Sequence, residues 1–185
     1  MDVADVHQAR TQLQTLITAM NGVDVVVINA GVGIPKANFE EQLFTIDINA
    51  RGFMALADAA YSYFSEKNGG QIVGLSSMAA LRGSGFAPEY HASKAFISSY
   101  MEGLQIRSWN RKHNITVTDI RPGFVDTDMT KSNKGMFWLA TAEKAAQQIF
   151  DAILAKKRIA YITKRWWIMA QLMKNLPDFL YRKFV

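Results

Sequence analysis

Apolar positions repeat at two intervals along this chain, and the intervals alternate. Between residues 6 and 20, Val6, Ala9, Leu13, Leu16, Ile17 and Met20 fall at helical spacing, which predicts an amphipathic helix ended by Asn21-Gly22. Val23 to Ile28 reads as a β-branched run, the pattern of a strand buried on both faces. A second helical region covers roughly 38–66 and stops at Asn68-Gly69-Gly70. Gln71 to Leu75 is another short apolar strand, and 77–89, rich in Ser, Gly, Ala and Pro, reads as a loop. Residues 90–112 are helical in pattern, and Ile115 to Ile120 is a strand that Pro122-Gly123 breaks. Thr141 suits the N-cap of a helix running to about Lys157, with Glu143 in its first turn, and Arg158 to Thr163 is a last strand. Helix and strand alternate throughout, which predicts an α/β fold with a parallel sheet and helices on both faces. Such sheets bind ligands at the carboxyl ends of their strands. The residues after each strand are therefore the ones that carry chemistry.

Composition narrows the chemistry. The 185 residues suit one domain, and 49% hydrophobic with 20% charged residues excludes a disordered chain. With no cysteine, disulfides, thiolate metal sites and cysteine nucleophiles are excluded. His7, His91 and His113 lie far apart without metal-ligand spacing, so no metal site is expected. The longest late apolar run, Trp166 to Ala170, is too short to cross a bilayer, and no signal-like start is present, so a cytoplasmic location is the expectation. The net charge of +5 is uneven: residues 155–185 hold eight Lys/Arg and one Asp, and the remainder holds 13 Lys/Arg and 15 Asp/Glu. A basic tail on a slightly acidic body does not offer the basic face that nucleic acid requires.

After the first strand comes Asn29-Ala30-Gly31-Val32-Gly33, whose small residues let a ligand approach the backbone; by itself this is equally a tight turn. It is not a full dinucleotide fingerprint, since Pro35 and Lys36 interrupt it. After the second strand come Ser76-Ser77 and, 13 residues beyond Ser77, Tyr90-His91-Ala92-Ser93-Lys94. Four residues apart on a helix, Tyr90 and Lys94 share a face. A tyrosine is a poor base at its ordinary pKa of about 10. A neighbouring ammonium favours the phenolate and tunes it toward neutral pH as a general acid/base. A lone Tyr-x-x-x-Lys is more often an ordinary helix face, and the serine at the end of a buried strand is what changes that balance. After the third strand, Pro122-Gly123-Phe124-Val125-Asp126-Thr127 exposes backbone donors, and Thr127 suits a phosphate or an amide as well as a simple turn.

Together these segments resemble the short-chain dehydrogenase/reductase family over nearly the whole chain. Asn29-Ala30-Gly31 looks like the family's N-N-A-G signature, with Ile28 in place of its first Asn; Asn49 in Ile48-Asn49-Ala50-Arg51-Gly52 matches the family's helix asparagine. Ser77, Tyr90 and Lys94 match its serine, tyrosine and lysine at the family spacing. Pro122, Gly123, Val125 and Thr127 match the segment at the nicotinamide end of the cofactor, and Asp2-Val3 the pair that packs on adenine. The resemblance implies a Rossmann-like doubly wound sheet and hydride transfer between a carbonyl and an alcohol with NADP or NAD. The catalytic set would be Asn49, Ser77, Tyr90 and Lys94. Tyr90 would move the proton, Lys94 would lower its pKa and hold the ribose, Ser77 would polarise the substrate oxygen, and Asn49 would support a water chain. Asp2, Val3, Asn29, Ala30, Gly31, Tyr90, Lys94, Pro122, Gly123, Val125 and Thr127 would hold the cofactor. Self-association through the helices at 38–66 and 90–112 is implied for the complete protein.

The departure from the family lies at the start. The first glycine here is Gly22, and Asp2-Val3 falls where the family's third strand ends. The first two strands and their helices, with the phosphate-cradling turn and the residues that choose NAD or NADP, are not in this sequence. Two readings follow: a truncated form of a complete enzyme, or a short protein with impaired cofactor binding. The Val23–Ile28 strand is then expected to carry an unpaired edge.

The organisation expected is residues 1–163 as a partial dehydrogenase domain and 164–185 as a basic aromatic tail packed on or extending from it. Lys164-Arg165-Trp166-Trp167-Ile168-Met169 and the following Leu172, Met173, Leu176, Phe179, Leu180 and Tyr181 mix cations with apolar residues. Two uses fit: a substrate lid or dimer contact, or peripheral membrane contact on anionic lipid, with a lipophilic substrate in the second case. Pro177 interrupts any long helix.

Overall fold

The computed structural model describes residues 1–128, 130 and 136–183. Four parallel strands, β1 (Val25–Ile28), β2 (Gly70–Leu75), β3 (Ile115–Pro122) and β4 (Ile159–Ile162), form one sheet in that order. The helices are α1 (Val6–Ala19), α2 (Phe39–Ile46), α3 (Phe53–Lys67), α4 (Pro88–Asn110), α5 (Ala142–Leu154), α6 (Trp166–Asn175) and α7 (Asp178–Tyr181). The α/β alternation read from the sequence is present, as a Rossmann-like parallel sheet with flanking helices.

Local signals place the ends. Asn38 caps α2 reciprocally with Glu41, and Thr141 accepts the Lys144 N–H at the start of α5. Asn68 ends α3 in the left-handed conformation. The region expected as one helix over 38–66 is instead three pieces: α2, a π-helical turn at Asp47–Gly52, and α3. Single π turns of this kind re-aim a few side chains within a helix. The loop after β2 contains a short 3₁₀ turn, Met78–Leu81.

The sheet is covered unequally. On one side, Phe53, Phe64, Ile97, Met101 and Leu104 from α3 and α4 pack on Ile28, Ile72 and Val117, with Ala9 of α1 in the same cluster. Burying each large side chain here contributes about 1.5–3 kcal/mol. On the other side, Ala145 and Ala152 of α5 meet Val73, Ile120, Ala160 and Ile162. That single helix does not reach β1. Val25 and Val27, on the α5 side by alternation, are 40% and 48% exposed. The sequence reading of this strand as buried on both faces is therefore corrected. Among the described residues it pairs only with β2, so one edge stays unpaired and Val25 and Val27 stay partly exposed.

A buried polar knot joins the middle of the sheet. Asp119 of β3 accepts hydrogen bonds from Ser98 Oγ (2.7 Å), Arg121 Nε (2.7 Å) and Ser76 Oγ. Arg121 also reaches Tyr161 Oη at 3.3 Å. The ion pair is almost fully buried, and such a pair holds only while every partner is satisfied.

Candidate active site

The chemistry-bearing residues converge at the carboxyl ends of β1 to β3. Tyr90 and Lys94 lie in the first turns of α4, where Pro88 suits the helix start. The Lys94 ammonium sits 5.7 Å from the centre of the Tyr90 ring. Ser77, the residue that caps the 3₁₀ turn after β2, lies beside the Tyr90 phenol, its Oγ accepting the Ala79 N–H at 3.0 Å. A Cβ added to Gly31 would stand 3.2 Å from Lys94 Nζ and 3.3 Å from Asn49 Oδ1. The loop after β1 thus lies directly against the ammonium, and glycine keeps that approach open.

Asn49 is fully buried in the π-helical turn. Its Oδ1 accepts the Val32 N–H at 2.8 Å, and its Nδ2 donates to Val32 O at 2.7 Å and to Ser93 Oγ at 3.0 Å. Both amide protons are spent. The Asn49 side chain thereby clamps the loop after β1 to α4. The sequence reading missed Ser93 as the other end of this clamp, although it lies between Tyr90 and Lys94.

Charge at the site is set by burial. Lys94 is buried, and losing its hydration pulls its pKa from 10.5 down to about 8, against the opposing pull of Asp119. It donates to the Leu75 carbonyl at 3.1 Å. The Tyr90 phenol is pushed up by burial, and the neighbouring Ser77 hydroxyl is what opposes the rise. In the structure the Lys94 ammonium donates to the Leu75 carbonyl while standing 5.7 Å from the centre of the Tyr90 ring.

The other predicted positions fall around this cluster. Asn29 and Ala30 are exposed just beyond β1. Gly123 donates to Ile162 O at 2.6 Å, and a Cβ there would meet the Trp166 ring at 2.0 Å, so only glycine lets Trp166 close over β3. Val125 bridges to Ala140, and the exposed Thr127 donates its N–H to Thr130 Oγ1 at 3.1 Å. Asp2 is exposed and accepts the Ala4 N–H. Val3 is buried in the core beside Gly52. Among the described residues, no cluster of His, Asp or Glu could hold a metal.

The profile of the short chain dehydrogenase family matches residues 1–136. The chain belongs to the short-chain dehydrogenase family. An uncharacterised oxidoreductase of Myxococcus xanthus is 35% identical over 137 residues, covering 72% of this chain and 53% of that protein. The 3-oxoacyl-[acyl-carrier-protein] reductase of Chlamydia muridarum is 32% identical over 178 residues, 88% of this chain and 70% of its own. Among solved structures, a Burkholderia cenocepacia short-chain dehydrogenase in complex with NADP superposes with a TM-score of 0.83 at 19% identity, over 100% of this chain and 79% of that one. That likeness shows the fold. The chain spans about half the length of the first curated relatives, 53% and 54%.

Proposed function

We propose that this protein interconverts a carbonyl and an alcohol with NADP or NAD as the hydride carrier. The observation that supports it most is the grouping of Tyr90, Ser77 and Lys94 beside the open backbone of Gly31, at the end of the sheet where such folds bind ligands. The donor set fits a dinucleotide. The Lys94 ammonium keeps further protons beyond its bond to Leu75 for ribose hydroxyls, and the loop at Asn29, Ala30 and Gly31 with Pro122, Gly123, Val125 and Thr127 offers small residues and backbone donors. When bound, the nicotinamide supplies or accepts the hydride.

The remaining chemistry belongs to the chain. Tyr90 gives its phenolic proton to the carbonyl oxygen in reduction and takes it back in oxidation. Ser77 orients and polarises that oxygen, which it reaches from its place beside the phenol. Lys94 stabilises the phenolate as it forms, and Asn49 with Ser93 keeps the loop after β1 in register with α4. The protein is expected to work in the cytoplasm and, when complete, as a homo-oligomer on a small and lipophilic carbonyl or alcohol.

A second reading has its own support. The edge of β1 left unpaired among the described residues, with Val25 and Val27 partly exposed, suits a fold that keeps these residues but holds the dinucleotide weakly, acting as an interaction protein. The two readings separate on hydride transfer. Incubation with reduced nicotinamide cofactor dideuterated at C4 and a panel of aliphatic and aromatic ketones is expected to give alcohol deuterated at the carbinol carbon. No product from any ketone with either cofactor would leave the interaction reading in its place.

A further inference from the structure

The tail does more in the structure than the proposed reaction uses. Trp166 is buried among Phe124, Phe137 and Trp138, and Ala170 beside it is fully buried, so one side of α6 is fixed to the body. It packs on Met78 and Leu81, in the 3₁₀ turn that begins directly after Ser77. Farther along, Arg82 pairs with Asp178 and lies 3.9 Å over the Tyr181 ring, and Tyr181 Oη donates to Gly83 O at 2.8 Å. The tail is therefore seated on the loop that carries Ser77.

Its outer side is also apolar. Trp167 (55%), Ile168 (61%), Leu172 (53%) and Phe179 (59%) are all more than half exposed. Ile168 and Leu172 are four apart and stack on one side of α6. A helix that buries one face in its own protein and offers large apolar groups on the other has a second apolar surface to satisfy. The exposed charges around it are of one sign: Lys164, Arg165, Lys174, Arg182 and Lys183. The acid in this stretch, Asp178, is neutralised by Arg82.

We propose that the outer surface of α6 and α7 docks on the headgroup boundary of an anionic bilayer. The charge pattern decides the occupant. Like-charged rims would oppose a second copy of this surface, whereas an anionic leaflet attracts every one of the five cations. Trp, Ile, Leu and Phe beside Lys and Arg are the composition that enters such a boundary. The dock sits against the Ser77 loop, so a lipophilic substrate would enter the site from the membrane side. That last step rests on the oxidoreductase reading; the docking itself does not.

The test uses the whole 185-residue chain, sedimented with vesicles of mixed phosphatidylserine and phosphatidylcholine, and with vesicles of phosphatidylcholine alone. The chain is expected to pellet with the mixed vesicles, and much less with the neutral ones or in high salt. The variant Trp167→Ser/Ile168→Ser/Leu172→Ser, altered only at exposed positions, is expected to bind roughly tenfold more weakly or worse. Lys164→Glu/Lys174→Glu, which leaves the apolar groups in place, is expected to lose most of the low-salt binding. Tyr90→Phe should pellet like wild type, which separates this test from that of the reaction. Equal pelleting on both vesicle types, or wild-type pelleting by both multiple variants, would overturn the proposal. So would a triple variant that dissociates from oligomer to monomer with unchanged vesicle binding, since that result assigns the surface to a contact between copies.

Discussion

Replacing Tyr90 with phenylalanine is expected to lower carbonyl reduction by about 10²–10⁴-fold, the range that a positioned acid/base contributes. The change removes one oxygen. The ring stays where it is, half-buried in the first turns of α4, so the fold should be retained. What is lost is the proton donor beside Ser77. Because burial raises this phenol, it starts the reduction protonated, the state an acid needs. Steady-state kinetics of the two proteins, with circular dichroism to confirm equal folding, checks this. A variant with near-wild-type turnover would remove Tyr90 from the reaction.

Lys94→Met is expected to stabilise the fold at neutral pH by about 3 kcal/mol, even as it removes a group the reaction needs. The reason is the buried ammonium. In the unfolded chain this lysine titrates near its ordinary value, and in the folded protein at about 8. Below about pH 8 both states hold the proton and the folded state carries the full burial penalty. As pH rises from about 8 toward 10.5, the unfolded chain still binds a proton that the folded one has released, so wild-type stability climbs. Methionine has no such dependence. Urea unfolding at pH 7 and at pH 9.5 should show the gap between the two proteins closing at the higher pH. A gap that is constant with pH would show that the lysine is not held as an unfavourable charge.

Much of this is legible in the amino-acid sequence. The β-branched runs fixed strand positions because a strand covered by helices must be apolar, and Asn68, Thr141 and the Tyr90–Lys94 spacing are local signals that need no partner. What was not legible depends on segments far apart. The exposure of Val25 and Val27 is a property of what covers them, and a run of valines reads the same whether or not a helix lies above it. The π turn that aims Asn49 leaves no periodicity of its own, being only six residues long. Asp119 sits inside an apolar strand, and its partners Ser76 and Ser98 come from another strand and a helix; no spacing in the sequence announces that knot. The Lys94–Tyr90 relation was legible as proximity but not as direction. Which way an ammonium turns is set by the nearest carbonyl, here that of Leu75.

The most direct test of the account is a titration of this 185-residue chain with NADPH and with NADH, followed by quenching of its tryptophans and by cofactor fluorescence. The account predicts saturable binding of at least one of them in the micromolar range, weakened when an alanine at Gly31 presses on the Lys94 ammonium. No saturation by either cofactor, or binding that the change at Gly31 leaves untouched, would contradict the placement of a nicotinamide beside Tyr90 and Lys94.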